Sequence, residues 1–272
     1  MQSFLTFLTE SKNLHLEHAE DEIFNFGADG ISEVTNFLES LQDMLSGNAK
    51  SKVNVTVKWD GAPAVFAGTN PENGKFFVGT KGVFAKNAKI NYTESDINSN
   101  HAGGLAEKLK VALKELPKAG ITDVLQGDMM YTSNDLQKES IDGEPYITFQ
   151  PNTIVYAIPV NSKLAAKILS SNMGIVWHTT YSGDTMEDMT ASFGVSSGAF
   201  SESSSIWQAD ALFKDHSGSA TMTSKETDNV TKILSQAGKV FRQIDSNTLA
   251  KVAGDPTPKE LIKTYNNKMV RE

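Results

Sequence analysis

The chain has 272 residues, no cysteine and a formal net charge of −8. That length suits one large domain, or one domain with helical attachments, and an apolar content of 39% supports a packed core and excludes wholesale disorder. The lack of cysteine excludes a disulfide scaffold, a thiolate zinc site and a thiol nucleophile; with no membrane-length apolar run and no basic leader at the start, the chain reads as cytoplasmic.

Charge is spread unevenly. Residues 1–50 carry two lysines against nine acids, residues 51–92 six lysines against two acids, and residues 223–272 nine basic against six acidic groups. The acidic balance does not indicate a broad non-specific nucleic-acid footprint. Arg242 and Arg271 are the only arginines, so a phosphate met earlier in the chain must be met by lysines, backbone amides or a metal.

The first fifth predicts helix: Ile31, Val34, Phe37, Leu38, Leu41, Met44 and Leu45 recur at three and four residues, and Gly47-Asn48 stops the pattern. The period then changes to two. Val53-Asn-Val-Thr-Val, Ala64-Val-Phe-Ala and Lys75-Phe-Phe-Val-Gly read as three strands of an antiparallel meander over 52–85, with a turn at Pro71, Asn73 and Gly74. Leu105, Leu109, Ala112, Leu113 and Leu116 form one helical face, closed by Pro117 and Gly120. Strands are expected at residues 123–128, 146–149, 153–158 and 174–180, and a short helix at 162–170. Residues 182–222 read as a long, partly irregular excursion. Thr223 and Glu226 make a capping box for a helix through Ile244, and Thr257-Pro258-Lys-Glu260 repeats the device.

The sharpest local signal is Lys58-Trp-Asp60-Gly61 at a strand end. By composition, a K-x-D-G arises by chance in roughly one chain in fifteen of this length. A lysine becomes a nucleophile when burial or neighbouring cations favour its neutral form, and Lys81 and Lys86 are candidates for those cations and for polyphosphate contacts. Alternation puts residues 58 and 60 on one face, where Asp60 could orient the amine or a ribose hydroxyl. The competing reading is a surface lysine beside an ordinary Asp-Gly turn.

Lys58-Trp-Asp60-Gly61 followed by Phe77-Val-Gly-Thr80-Lys81-Gly82 resembles the first two motifs of the covalent nucleotidyltransferases: the DNA and RNA ligases and the mRNA capping enzymes. Val124-Leu-Gln-Gly127-Asp128 resembles their third motif, and Thr153-Ile-Val-Tyr156-Ala-Ile the strand whose aromatic stacks on the purine. Essentially the whole chain also resembles an uncharacterised ligase-like family of large tailed phages, including cyanophages. The resemblance implies an α+β fold: a nucleotidyltransferase (ATP-grasp-like ligase adenylation) β core over 51–222, an N-terminal helical segment over 1–50 and a helical C-terminal extension over 223–272. It implies that Lys58 attacks the α-phosphate of ATP, forms lysyl–AMP and passes AMP to a 5′-phosphate end of DNA or RNA. Asp60 and Gly61 would shape the nucleotide loop, Lys81 would take the place of an arginine, Asp128 would meet the ribose, Tyr156 would stack on adenine and Mg²⁺ would neutralise the triphosphate.

The pattern departs from the family at Pro63, where an arginine is usual, and at Ala157, where an aspartate is usual. No Glu-Gly dipeptide and no K-x-K strand follows Tyr156. A second chain supplying those motifs, a nucleotide- or nucleic-acid-end-binding protein without catalysis, and a virion structural protein in which Lys58 is incidental are the alternatives. Other candidates have bland readings beside them. His15, His18, Glu20 and Asp21 read as metal ligands or as a polar loop or helix end, and His178 as a base or a hydrogen-bonded structural residue. Trp177 and Trp207 read as core or interface rather than base platforms, and Asp184, Glu187 and Asp188 as a solvated loop rather than a second metal site.

Overall fold

A computed structural model of the chain describes residues 18–48, 56–212 and 222–271. It is an α+β protein that divides into two compact units. Residues 56–212 belong to one, which carries every described strand; 18–48 and 222–271 belong to the other, which is helical. The helical segments at either end of the sequence therefore share a unit. No described helix is long and apolar enough to cross a membrane.

The helical unit holds α1 (Ala19–Phe26), α2 (Ala28–Leu45), α6 (Ser224–Phe241), α7 (Ser246–Gly254) and α8 (Pro256–Arg271). Gly27, at φ +62°, makes the corner between α1 and α2, a backbone state that only glycine adopts freely. The Thr223–Glu226 capping box forms as read. The start of α8 is corrected by two residues: the helix opens at Pro256, and Thr257 N–H donates to the Asp255 carboxylate. Asp245 caps the unread α7 by accepting from Thr248 N–H. Gln42 of α2 donates to Thr227 O and Thr231 Oγ1 of α6, tying the two long helices together.

In the other unit the main sheet runs β2 (Phe76–Gly79), β1 (Ala64–Thr69), β3 (Val124–Thr132), β7 (Met173–Ser182) and β8 (Thr190–Phe193), with β9 (Ile206–Asp210) parallel to β7. A second, antiparallel sheet joins β4 (Gln137–Ile141), β5 (Glu144–Phe149) and β6 (Tyr156–Pro159). Helices α3 (Glu94–Asn100), α4 (Gly103–Glu115) and α5 (Lys163–Ser170) complete the unit. β1 and β7 read as near-continuous apolar runs because both faces of the sheet are covered. On one face, Val65, Ala67, Leu125, Met129, Ile175 and Trp177 pack with Ala106, Leu109 and Ala112 of α4.

The other face is split. Phe66, Val124 and Tyr181 form an apolar cluster at one end; Met130 and Val176 join Ile147, Phe149 and Ile158 of the small sheet at the other. Strand register places Gln126, Thr179 and Asp128 on this face, in the gap between the clusters. The expected meander over 52–85 is corrected in its first strand. Residues 53–55 lie outside the described residues, and Thr56 bridges Leu212, whereas β1 pairs with β2 and β3. The strand expected at 153–158 starts only at Tyr156, because residues 152–154 are held by Asp60.

Candidate functional site

The segment carrying Lys58 is fixed at both ends. Val57 N–H donates to Ala211 O at 2.7 Å, and Ala211 N–H donates to Trp177 O at 2.8 Å, so the segment starts from the β7–β9 ladder. It ends on β3: Ala62 N–H donates to Met129 O, and Met129 N–H to Pro63 O. A Cβ on Gly61 would lie 2.5 Å from Asp128 Cβ, so only glycine lets the two chains approach this closely. Between these anchors the Lys58 side chain is exposed, and its ammonium makes no hydrogen bond or ion pair with any described residue.

Trp59 turns the other way. Its ring stacks on Tyr156 at 5.7 Å and meets Trp207 edge-on at 6.5 Å. Tyr156 stacks in turn on Phe149 at 5.4 Å, and its hydroxyl accepts from Asp60 N–H at 3.0 Å. Aromatic stacks of this kind add about 0.5–1.5 kcal/mol beyond the area they bury. The Tyr156 ring, expected as a purine platform, is stacked on two aromatic side chains and serves as a strut for the Lys58 loop.

Asp60 is also committed. Its Oδ2 accepts from Thr153 N–H, Thr153 Oγ1–H and Ile154 N–H, each at 2.7 Å, and its Oδ1 accepts from the Asn152 amide at 2.7 Å. The Thr153 hydroxyl first, then the Ile154 N–H and the Asn152 amide, hold the Asp60 carboxyl at about 2, against a weaker opposing effect of desolvation. An ionised carboxylate offers about four lone-pair sites, and these donors saturate Oδ2. Asp60, expected to orient the amine or a ribose hydroxyl, meets these donors within the chain. It clamps the 152–154 loop to the Lys58 segment.

Asp128 differs. Its side chain is 20% exposed, and among the described residues no donor reaches it within hydrogen-bonding distance. The nearest partner is His178 Nε2 at 3.8 Å, beyond a hydrogen bond. Gly127, beside it, allows the Trp177 ring and Val176 O to press on β3, since a Cβ there would lie 2.7 and 2.6 Å from them. The structure thus brings together Lys58's loop, Asp128 and His178, from three distant parts of the chain.

Lys81, in the 3₁₀ turn Lys81–Phe84, and Lys86 are exposed, and neither bonds to Lys58's loop. A lysine that the sequence reading missed does: Lys108 of α4 donates to Ala62 O at 3.2 Å and lies 3.9 Å from Asp135. Its position on the helix gave no signal beyond an ordinary surface cation. Trp177 is buried core; Trp207 joins the aromatic cluster. Asp188 closes a turn with Thr185. In the helical unit, His18 Nδ1 lies 3.5 Å from Asp21 Oδ2 and 3.8 Å from Glu20, while His15 is outside the described residues. Among the described residues no group of three or more histidine or acidic side chains is set to hold a metal.

A family of unknown function (DUF6267) matches residues 13–272. The chain belongs to that family. No curated protein and no solved structure matches it.

Proposed function

We propose that the chain is an ATP-dependent nucleotidyltransferase of the polynucleotide ligase type, with Lys58 as its nucleophile. The observation that carries this reading is the packing of Gly61 on Asp128. Two segments 67 residues apart, each singled out in sequence for nucleotide chemistry, meet at backbone contact. The result is a lysine with no partner among the described residues, on a stiff loop next to a half-buried carboxylate to which no described donor bonds.

In the proposed step the Lys58 Nζ loses a proton and bonds to the α-phosphorus of ATP as the bond to the pyrophosphate oxygen breaks. The phosphoramidate then yields AMP to a 5′-phosphate oxygen, restoring the amine. Asp128 would receive ribose hydroxyls, and Lys81 would meet phosphate. Asp60, Trp59 and Tyr156 would hold the loop so that the amine arrives already oriented, the entropic part of catalysis. Bound Mg²⁺ would lower the charge of the triphosphate. A Mg²⁺ that keeps its waters and rides on phosphates needs only one or two protein carboxylates, which suits a site without an acidic cluster.

The exposure of Lys58, which lacks the burial that activates a lysine nucleophile, favours a second reading, nucleotide binding without transfer. The two separate on incubation with α-labelled and γ-labelled ATP and Mg²⁺. Transfer predicts label on the protein from the α-position only, with release of pyrophosphate. Binding alone predicts saturable retention of both labels and none surviving denaturation.

A further inference from the structure

Resting on the nucleotide reading above, we propose that His178 is a positioning residue that fixes Asp128 for the hydroxyls of the ribose and so determines selection for ribonucleotides. The first ground is a bulge. Gln126 of β3 faces Thr179 of β7, yet the next residue, Gly127, faces Trp177, so His178 is the extra residue in β7. Without it, Thr179 would alternate to the opposite face. With it, His178 and Thr179 stand together on the face of Asp128, and Thr179 Oγ1 lies 2.9 Å from His178 Nδ1. Bulges gather next to active sites because they re-aim side chains in this way.

The second ground is unmet bonding capacity. The Thr179 hydroxyl occupies Nδ1, which leaves Nε2 turned to Asp128 Oδ1 at 3.8 Å. Pairing with Ala64 and Val176 and the packing of Gly61 fix the backbone of Asp128, which leaves the rotation of its side chain for His178 to set. Among the described residues, His178 is the one basic side chain within ion-pair range of Asp128. Both side chains keep an open edge, at 20% and 25% exposure. A pinned carboxylate with free acceptors suits two adjacent hydroxyl donors, and an imidazole held beside it narrows the directions from which they can approach.

The test compares the affinities of ATP and 2′,3′-dideoxy-ATP for the full chain by calorimetry, in the wild type, His178→Ala, His178→Gln and Asp128→Asn. A hydrogen bond to a charged group predicts a wild-type preference for ATP of at least about tenfold. His178→Ala, which also strips the buried Thr179 hydroxyl of its partner and so lowers the melting temperature, is expected to lose most of that preference by weakening ATP more than the dideoxy nucleotide. His178→Gln, which retains an N–H donor, is expected to restore part of it and keeps the test valid if the alanine variant fails to fold. A preference that vanishes in Asp128→Asn but persists in both His178 variants overturns the role of His178 and leaves the nucleotide reading standing. Absence of ATP binding in the wild type overturns both.

Discussion

Replacing Gly61 with alanine probes the contact on which the site is built. The new methyl would sit 2.5 Å from Asp128 Cβ, 3.0 Å from Met129 O and 3.1 Å from the Asp128 carbonyl carbon. None of these is the tip of a flexible side chain, and β3 is held by β1 on one side and β7 on the other. Residues 61–63 would have to withdraw by about 1 Å, straining the two bonds they share with Met129. Overpacking of this kind costs about 1–3 kcal/mol, and the stretched bonds place Gly61→Ala at the upper end, about 2–3 kcal/mol. All three tryptophans, Trp59, Trp177 and Trp207, lie in the unit with the sheet, so fluorescence follows that unit's unfolding in urea. With a slope of about 2–3 kcal/mol per molar, the midpoint should fall by ~1 M at unchanged slope. Gly104→Ala is the control, since nothing lies within 4 Å of its added carbon and it sits in the first turn of α4. That change should be neutral or stabilise by up to ~1 kcal/mol. Equal midpoints for Gly61→Ala and wild type would refute the close packing of the Lys58 loop on Asp128.

Other contacts make further claims. Tyr156→Phe keeps the stack but leaves Asp60 N–H without its acceptor, and should cost about 0.5–1.5 kcal/mol in the same urea assay. Because Asp60 titrates below its unfolded value, its clamp is fully present above about pH 4 and is lost as pH falls toward 2. Asp60→Asn should flatten the acid limb of a plot of urea midpoint against pH between 2 and 5; an unchanged limb would show that the clamp is not what the acid breaks. Burial, with the nearby Lys89 charge adding to it, lowers His101, so its neutral form is favoured in the folded chain. Its contribution is present above the ordinary histidine value near 6.5 and falls as pH drops through it. His101→Gln should remove that step from the same plot.

The sequence made the backbone elements legible where one period dominates. The run Gly174-Ile-Val-Trp-His-Thr-Thr announces β7, and the leucines of α4 announce a face that packs on the sheet. β4 gave no such signal, because all five of its residues are exposed and nothing alternates. β8 and β9 lie in a Ser- and Gly-rich stretch and depend on pairing with β7, a long-range contact. Lys58 was visible as a lysine at a strand end, His178 as a histidine on a strand, and Asp128 through the resemblance to the nucleotidyltransferase motifs. Their arrangement was not. The donors that bind the Asp60 carboxylate lie 92 to 94 residues away, and the rings stacked on Tyr156 are Trp59 and Phe149. A motif states which side chains could meet a nucleotide; only tertiary contacts show which are already engaged. The bulge at His178 is equally silent in sequence, because one extra residue leaves the composition of the strand unchanged.

The central claim is that the Lys58 amine accepts a nucleotide. Intact-mass spectrometry after incubation with ATP and Mg²⁺ tests it directly, on the wild type and on Lys58→Ala with native folding checked for both. The account predicts a gain of one AMP on the wild type, reversed by added pyrophosphate and missing from the variant. A folded wild type that gains no mass, or a Lys58→Ala variant that gains the same mass, would contradict it.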